Sequence, residues 1–148
     1  MIDKQELFDL LMEEVAVLAL LGVRPVLLVG VRMQVDASLR RRNGNPVLYK
    51  GDGDVRETDE ETMRVVQEVC GFMRSRVEGA LSRGRARSGP SGGVGVDVVG
   101  GNFFYTAQPV GVRNGKDYGY TGEVRSIDVP KINKHLNAGE IVLMTALG

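Results

Sequence analysis

Short apolar segments alternate along this chain with amphipathic helical patterns, and this alternation restricts the fold more than any other feature. Residues 3–21 place leucines at helical spacing behind Asp3, a suitable N-cap. Residues 23–30 then form an apolar, β-branched run that is too short for a core helix, so a buried parallel strand is favoured. Repetition of this pattern indicates an α/β fold built around a mostly parallel sheet.

The same criteria predict the other elements. Helices are expected over residues 33–42, from Thr58 or Asp59 to about Leu81, and from a cap at Asp128 to just before Gly139. Strands are expected over residues 94–99, 103–110, 124–127 and 140–148. We therefore expect a three-layer α/β/α architecture with a mostly parallel sheet.

Three departures from regular alternation are also expected. The strands at 94–99 and 103–110 have no helix between them, which predicts a β-hairpin in the middle of the chain. The basic, glycine-rich stretch at about 82–93 predicts a flexible loop. The chain opens on a helix and closes on a strand, so the domain is expected to be incomplete at both ends. Open sheet edges then predict poor solubility or obligate pairing.

Composition and charge exclude several classes of protein. The 148 residues contain 19 basic and 19 acidic side chains, and this balance argues against a general binder of nucleic acid or anionic membranes. No apolar run approaches the ~18 residues that indicate a membrane span, and no secretory signal is visible. The single cysteine makes neither an internal disulfide nor a cysteine zinc site, and no metal site is predicted.

Three patterns in fixed order identify a family resemblance. They are RETDEETM (56–63), VGGNF with AQPVGV (99–103 and 107–112), and DYGYTGEV with GEIVLM (117–124 and 139–144). Together they resemble the amino-acid-kinase-like domain shared by acetylglutamate kinases and N-acetylglutamate synthases. The resemblance covers nearly the whole chain. It implies that residues 1–148 are part of one such domain and that the acetyltransferase module of the synthases is absent from the chain.

The segment after the first strand separates the two branches of this family. Resemblance to the kinases would imply a His-Gly-Gly-Gly-Pro run there, whose glycines let backbone N–H groups approach the phosphate. This chain has Val-Gly-Val-Arg-Met at 29–33, so only Gly30 remains of that run. Side chains at 31 and 32 would obstruct the approach. The chain is therefore more similar to the synthases, whose kinase-like domain transfers no phosphate.

Resemblance to the synthases carries further expectations. Such enzymes transfer acetyl from acetyl-CoA to L-glutamate at the first step of arginine biosynthesis, and their kinase-like domain contributes oligomer contacts and the L-arginine feedback site. The resemblance implies a homo-oligomer in the cytoplasm, or in the plastid stroma of a photosynthetic eukaryote. The chain alone is expected to hold no cofactor, to have no catalytic residue and to be inactive. The alternatives are an acetylglutamate kinase-type phosphotransferase and a non-catalytic amino-acid sensor.

Arg56 and Gly30 are the candidate ligand-binding residues. In the kinases, the arginine of the Arg-x-Thr-Asp motif holds the carboxylate of acetylglutamate, and Arg56 is its match. A guanidinium suits a carboxylate because it donates two parallel hydrogen bonds. The alternative for Arg56 is an ion pair with Asp59 or Glu60 at the helix N-terminus. The alternative for Gly30 is a tight turn that ends the strand.

Other conspicuous residues have simpler interpretations. Arg83, Arg85 and Arg87 lack the aromatic neighbours of single-strand RNA binders, so a solvated segment is expected. Cys70 falls on the apolar stripe of its helix and is expected in the core. His135 is expected on the surface near a helix C-terminus. The run at 76–81 has some features of a coenzyme A cradle, but it lies late in a helix whose N–H groups are already bonded.

Overall fold

Helices and strands alternate in a computed structural model that describes residues 3–42, 48–49, 55–87 and 96–148. The helices are α1 (Lys4–Leu20), α2 (Arg32–Arg41), α3 (Glu60–Arg87) and α4 (Val129–Asn137). The strands are β1 (Val26–Leu28), β2 (Leu48–Tyr49), β3 (Val55–Arg56), β4 (Val98–Gly100), β5 (Tyr105–Pro109), β6 (Val112–Arg113), β7 (Lys116–Asp117), β8 (Gly122–Ile127) and β9 (Ile141–Met144).

A parallel sheet forms the centre of the fold. In the described part of the chain it has three strands in the order β1-β9-β4, with Val142 opposite Val26 on one side and Val99 on the other. β9 is buried from Ile141 to Leu143, as a central parallel strand covered on both faces should be. The prediction of a mixed α/β fold with a parallel sheet is confirmed.

Helices α1 and α3 cover one face of this sheet. Ile141 and Leu143 of β9 point to that face, have no exposed surface, and pack with Met12 of α1 and with Val77 and Leu81 of α3. The apolar residues recur at helical spacing on both helices, so each helix buries one stripe against the sheet and against the other helix. Burial of this kind supplies most of the stabilisation of such a domain.

A second apolar cluster joins α2 to α3 beside the carboxyl end of β1. Val35 and Leu39 of α2 pack there with Val65 and Cys70 of α3, and Val31 is buried in the same cluster. The position of Cys70 confirms that it is a core residue. This cluster fixes the start of α2, and therefore the segment that follows Gly30, against α3.

The opposite face of the sheet carries α4 and a partly open apolar surface. Ile132 of α4 lines a groove of ≈ 470 Å³ together with Leu28 of β1 and Met144 of β9. Leu28 remains 74% exposed. Helices therefore lie on both faces of the sheet.

An antiparallel ribbon replaces the predicted hairpin. β4 pairs with β9 in the parallel sheet and not with the next strand, so the pairing predicted between 94–99 and 103–110 is wrong. β5 pairs with β8 instead, and β6 and β7 extend the ribbon to an Asn114-Gly115 turn with both φ values positive. The physical reason lies in Phe104, which is fully buried with its ring against His135 of α4. This contact holds the chain that enters β5 against α4, and β5 pairs with β8 there.

The helix ends match the expected capping chemistry, with one correction. The Asp3 backbone N–H donates to Glu6 (3.2 Å), and the Asp59 and Asp128 carboxylates accept from the N–H groups of Thr62 (2.7 Å) and Lys131 (3.0 Å). The loop predicted over 82–93 begins later, because α3 continues to Arg87. The remainder of that loop, and the turn predicted at 43–46, lie outside the described residues.

None of the helices within the described ranges combines the length and the apolar character needed to cross a bilayer.

Candidate functional site

A cavity of ≈ 510 Å³ lies where the end of β1, the segment after β3 and the antiparallel ribbon meet. Gly30, Val31 and Arg32 form one wall, Arg56 and Thr58 form a second, and Thr121 belongs to a third. The structure therefore brings the two predicted ligand-binding residues, Gly30 and Arg56, to the same cavity. They are 26 positions apart in the sequence, and only the tertiary fold places them together.

Arg56 is held in the cavity wall by an ion pair. Its Nη2 group donates to a carboxylate oxygen of Asp36 and lies 3.4 Å from the carbonyl oxygen of Arg32. The side chains of Arg56 and Asp36 are only 13% and 15% exposed. The alternative partners have other roles, since Asp59 caps α3 and Glu60 pairs with Arg64 at 2.6 Å. The ion pair expected under that alternative is therefore wrong.

The other terminal nitrogen of Arg56, Nη1, is the chemically notable atom of the site. It is buried, and no residue in the described part of the chain accepts a hydrogen bond from it. A buried donor without an acceptor costs about 1–3 kcal/mol, and native structures contain few of them. The Arg56 side chain also lines the cavity, and a charged N–H donor of this kind pairs well with an anionic group.

Gly30 lies between β1 and the start of α2. Its φ is not in the left-handed region, and a Cβ added to it would meet no atom within 4 Å. The tight-turn explanation is therefore not required by the backbone. α2 begins at Arg32, and the first-turn N–H groups of a helix have no partner inside it, so this wall of the cavity is favourable to negative charge.

Two threonines fasten the ribbon to the segment that carries Arg56. The Thr121 hydroxyl donates to the carbonyl oxygen of Arg56 (2.5 Å) and lies 2.8 Å from the Thr58 hydroxyl. Thr58 is also bonded through its backbone, donating to Tyr118 (3.2 Å) and accepting from Tyr120 (2.8 Å). These bonds fix the backbone of Arg56 while Asp36 fixes its side chain.

Tyr105 separates this cavity from the apolar groove on the sheet face, and lines both. Its hydroxyl donates to the carbonyl oxygen of Thr145 (2.7 Å). Burial raises the pKa of the Tyr105 phenol above its ordinary value of 10.0, so the group is a neutral donor at physiological pH. The remaining lining is mostly apolar, including Val35 and Val66.

The other conspicuous residues lie away from the cavity. His135 is half-buried rather than on the surface, with Nδ1 2.5 Å from the Glu140 carboxylate. Burial raises the pKa of the Cys70 thiol, which makes it a poor nucleophile. Arg83 projects from α3 and pairs with Asp9 at 3.1 Å. Within the described ranges, no group of three or more His, Cys, Asp or Glu side chains is placed to hold a metal ion.

Asp36 and Thr121 are site residues that the sequence did not predict. Asp36 lies one helical turn after Arg32, on the helix that follows β1. This position is the only local signal that it belongs to the site. Thr121 lies within the third family pattern, but it carries no charge that would indicate a ligand-binding role. Both act through Arg56, so their roles depend on tertiary contacts.

Comparison with known proteins gives similarity over nearly the whole chain. No family model matches. The chain is 35% identical over 141 residues to the amino-acid acetyltransferase of Escherichia coli (strain K12), covering 95% of this chain and 31% of that protein. It is 40% identical over 141 residues to the amino-acid acetyltransferase of Ectopseudomonas mendocina (strain ymp), covering 95% and 32%. The chain thus spans about a third of the length of the curated relatives it matches.

Two solved structures of the N-acetylglutamate synthase from Neisseria gonorrhoeae are also similar. The structure complexed with coenzyme A and L-arginine gives a TM-score of 0.81 at 34% identity, covering 93% of this chain and 31% of that chain. The structure complexed with coenzyme A and N-acetyl-glutamate gives a TM-score of 0.79 at 32% identity, covering 93% and 29%.

Proposed function

We propose that this chain represents part of an N-acetylglutamate synthase, an acyltransferase that converts acetyl-CoA and L-glutamate to N-acetyl-L-glutamate at the start of arginine biosynthesis. The proposal is supported by the ordered sequence patterns and by the similarity to the synthase from Neisseria gonorrhoeae over 93% of the chain. Residues 1–148 would form part of an amino-acid-kinase-like domain. Its role would be regulation and assembly of a cytoplasmic homo-oligomer, with acetyl transfer performed by a separate module.

Within this domain we assign a carboxylate-binding pocket to the cavity at Arg56. The buried Nη1 donor of Arg56 is the observation that carries the assignment, because a ligand carboxylate would satisfy it. Gly30 would contribute the backbone at the start of α2. Amino-acid ligands suit this site because each carries at least one carboxylate, and L-arginine as a feedback ligand belongs to this class.

The cavity wall formed by Gly30, Val31 and Arg32 does not favour phosphate transfer. Val31 is buried in the cluster between α2 and α3, and Arg32 begins α2, so both positions carry side chains where the kinases have glycines. A non-catalytic amino-acid sensor is the second candidate. The observation that favours it is that Gly30 and Arg56, which lie 26 positions apart in the sequence, line one cavity, as a ligand-binding site requires.

The pocket can be tested by thermal unfolding of the 148-residue chain with N-acetyl-L-glutamate, L-glutamate or L-arginine. At least one of these ligands is expected to raise the melting temperature of the wild-type chain and to leave that of Arg56→Ala nearly unchanged. Loss of a charged hydrogen-bonding partner in a buried site costs about 2–5 kcal/mol, which corresponds to roughly a 30-fold or greater loss of affinity. Arg64→Ala is the matched control.

Arg64 lies on the exposed surface of α3, where it pairs with Glu60, and its side chain is 68% exposed. Its removal deletes the same charge as Arg56→Ala without touching the cavity, so the ligand-induced shift should persist. Equal shifts in the wild-type and Arg56→Ala chains would reject the pocket.

A further inference from the structure

The ion pair between Asp36 and Arg56 has a consequence for the affinity of the cavity. The two residues are contributed by different elements, α2 and β3, and are both largely buried. Asp36 holds Nη2, while Nη1 of the same guanidinium remains without an acceptor in the described part of the chain. The Asp36 carboxylate thus already occupies one of the two terminal nitrogens through which the Arg56 guanidinium can bind carboxylates.

Asp36 contacts Arg56 but does not itself line the cavity. Arg32, Val35 and Arg56 line the cavity, whereas Asp36, although it lies on the same helix as Arg32 and Val35, is not among the described lining residues. Nη1, the terminal nitrogen that Asp36 does not use, has no acceptor in the described part of the chain, so a ligand carboxylate that reached it would complete the hydrogen bonding of the guanidinium. The ion pair also offsets the charge of the guanidinium, so Arg56 attracts an anion in the cavity less strongly than it would without Asp36.

We propose that Asp36 is the resident counter-ion of Arg56 and limits the affinity of the cavity for carboxylates; this rests on the proposed carboxylate pocket. A ligand carboxylate on Nη1 would place a second negative charge on the guanidinium that Asp36 already neutralises. The two carboxylates repel one another across it in a poorly solvated site. Asp36 is a positioning residue that also weakens binding, and in this way it keeps the site responsive to changes in ligand concentration.

The Asp36→Asn variant separates charge from position. The amide oxygen of asparagine can still accept from Nη2, so the orientation of Arg56 is kept while the negative charge is removed. We expect isothermal titration with N-acetyl-L-glutamate, L-glutamate and L-arginine to show roughly ten-fold tighter binding of the ligand that the wild-type chain binds. The melting temperature without ligand should fall, because Arg56 loses its counter-ion.

The Asp36→Glu variant is the matched control. It keeps the negative charge on the same helix position, so its affinity should stay within about two-fold of the wild type. A merely structural role for Asp36 predicts weaker binding in both variants. Equal or weaker binding by Asp36→Asn would therefore overturn the proposal.

Two results keep this test separate from that of the proposed function. If no carboxylate binds to the wild-type chain or to Asp36→Asn, the pocket itself is rejected and the counter-ion role with it. If the wild-type chain binds in an Arg56-dependent manner and Asp36→Asn binds no more tightly, only the counter-ion role is rejected. Should Asp36→Asn not fold alone, millimolar ligand is expected to restore its circular-dichroism spectrum, and failure to do so contradicts the proposal.

Discussion

Gly119 lies so close to Thr58 that a Cβ on Gly119 would be 2.3 Å from the Thr58 carbonyl oxygen. Backbone hydrogen bonds from Thr58 to Tyr118 and from Tyr120 to Thr58 enclose this contact on both sides. Gly119 also has a φ of +57°, in the left-handed region that favours glycine. The contact holds the base of the antiparallel ribbon against the segment that carries Arg56.

We expect Gly119→Ala to destabilise the chain by more than the cost of placing a residue with a Cβ in the left-handed conformation. The left-handed conformation costs a residue with a Cβ about 1–2 kcal/mol, and the contact with the Thr58 backbone adds a clash that only a backbone shift can relieve. The free energy of unfolding, measured by urea denaturation, should therefore fall by about 3 kcal/mol or more. Affinity for a carboxylate ligand should fall as well, since Thr121 follows Gly119 by two residues and fixes the Arg56 backbone.

Gly115→Ala is the control for this prediction. Gly115 has a φ of +75°, but a Cβ there would meet nothing within 4 Å. It should therefore show only the conformational cost of about 1–2 kcal/mol and no change in ligand affinity. Equal losses of stability in the two variants would show that the contact between Gly119 and Thr58 is unimportant.

The sequence predicted the parts of this fold that depend on local periodicity and capping. α1, α4 and the capped start of α3 follow from helical spacing and from Asp3, Asp59 and Asp128, all of which act within one turn. The predicted end of α3 was too early. Arginine and alanine are strong helix formers, and they extend α3 to Arg87 despite Gly84.

Features that depend on tertiary contacts were harder to predict from the sequence. An apolar run predicts a strand but does not specify its partner, so the pairing of β5 with β8 could not be read from the sequence. The family resemblance identified Arg56 and Gly30, and the structure places them in one cavity, although their role in binding stays a prediction. Asp36 was not predicted because charge pairing over 20 residues depends on how α2 packs beside β3.

The pH dependence of stability should show a contribution from Asp59. Its carboxylate accepts hydrogen bonds from the Thr62 side chain and backbone, which lower its pKa below the ordinary value of 3.8. The stabilisation is therefore complete above about pH 4 and is lost as the pH falls through the lower, folded-state value. Asp59→Ala should cost roughly 0.5–1 kcal/mol at neutral pH, at the lower end for caps because Asp59 is exposed.

Chemical denaturation of the wild-type and Asp59→Ala chains between pH 7 and pH 2 measures this effect. The difference between their unfolding free energies should shrink below about pH 4, because protonation removes the charge that the cap stabilises. Asp59→Asn is the control, since it keeps a capping oxygen that does not titrate. A difference between wild type and Asp59→Ala that stays constant with pH would contradict the assignment of Asp59 as a charged cap.

The exposed strand β1 should make the isolated chain prone to self-association. β1 is an edge of the described parallel sheet, and its Val26 and Leu28 side chains are 47% and 74% exposed. An exposed apolar edge strand is a template for pairing with another chain, and a lysine on such a strand opposes that pairing. We expect Leu28→Lys to lower the light scattering of concentrated solutions and to increase the yield of soluble chain.

The control must account for charge, because the unmodified chain has a formal net charge of zero and any added lysine moves it away from that point. Met33→Lys adds the same charge on α2, where Met33 is 81% exposed and lies outside the sheet. If strand pairing drives association, Leu28→Lys should reduce scattering clearly more than Met33→Lys. Equal reductions would instead show that low net charge, and not the open edge at β1, limits solubility.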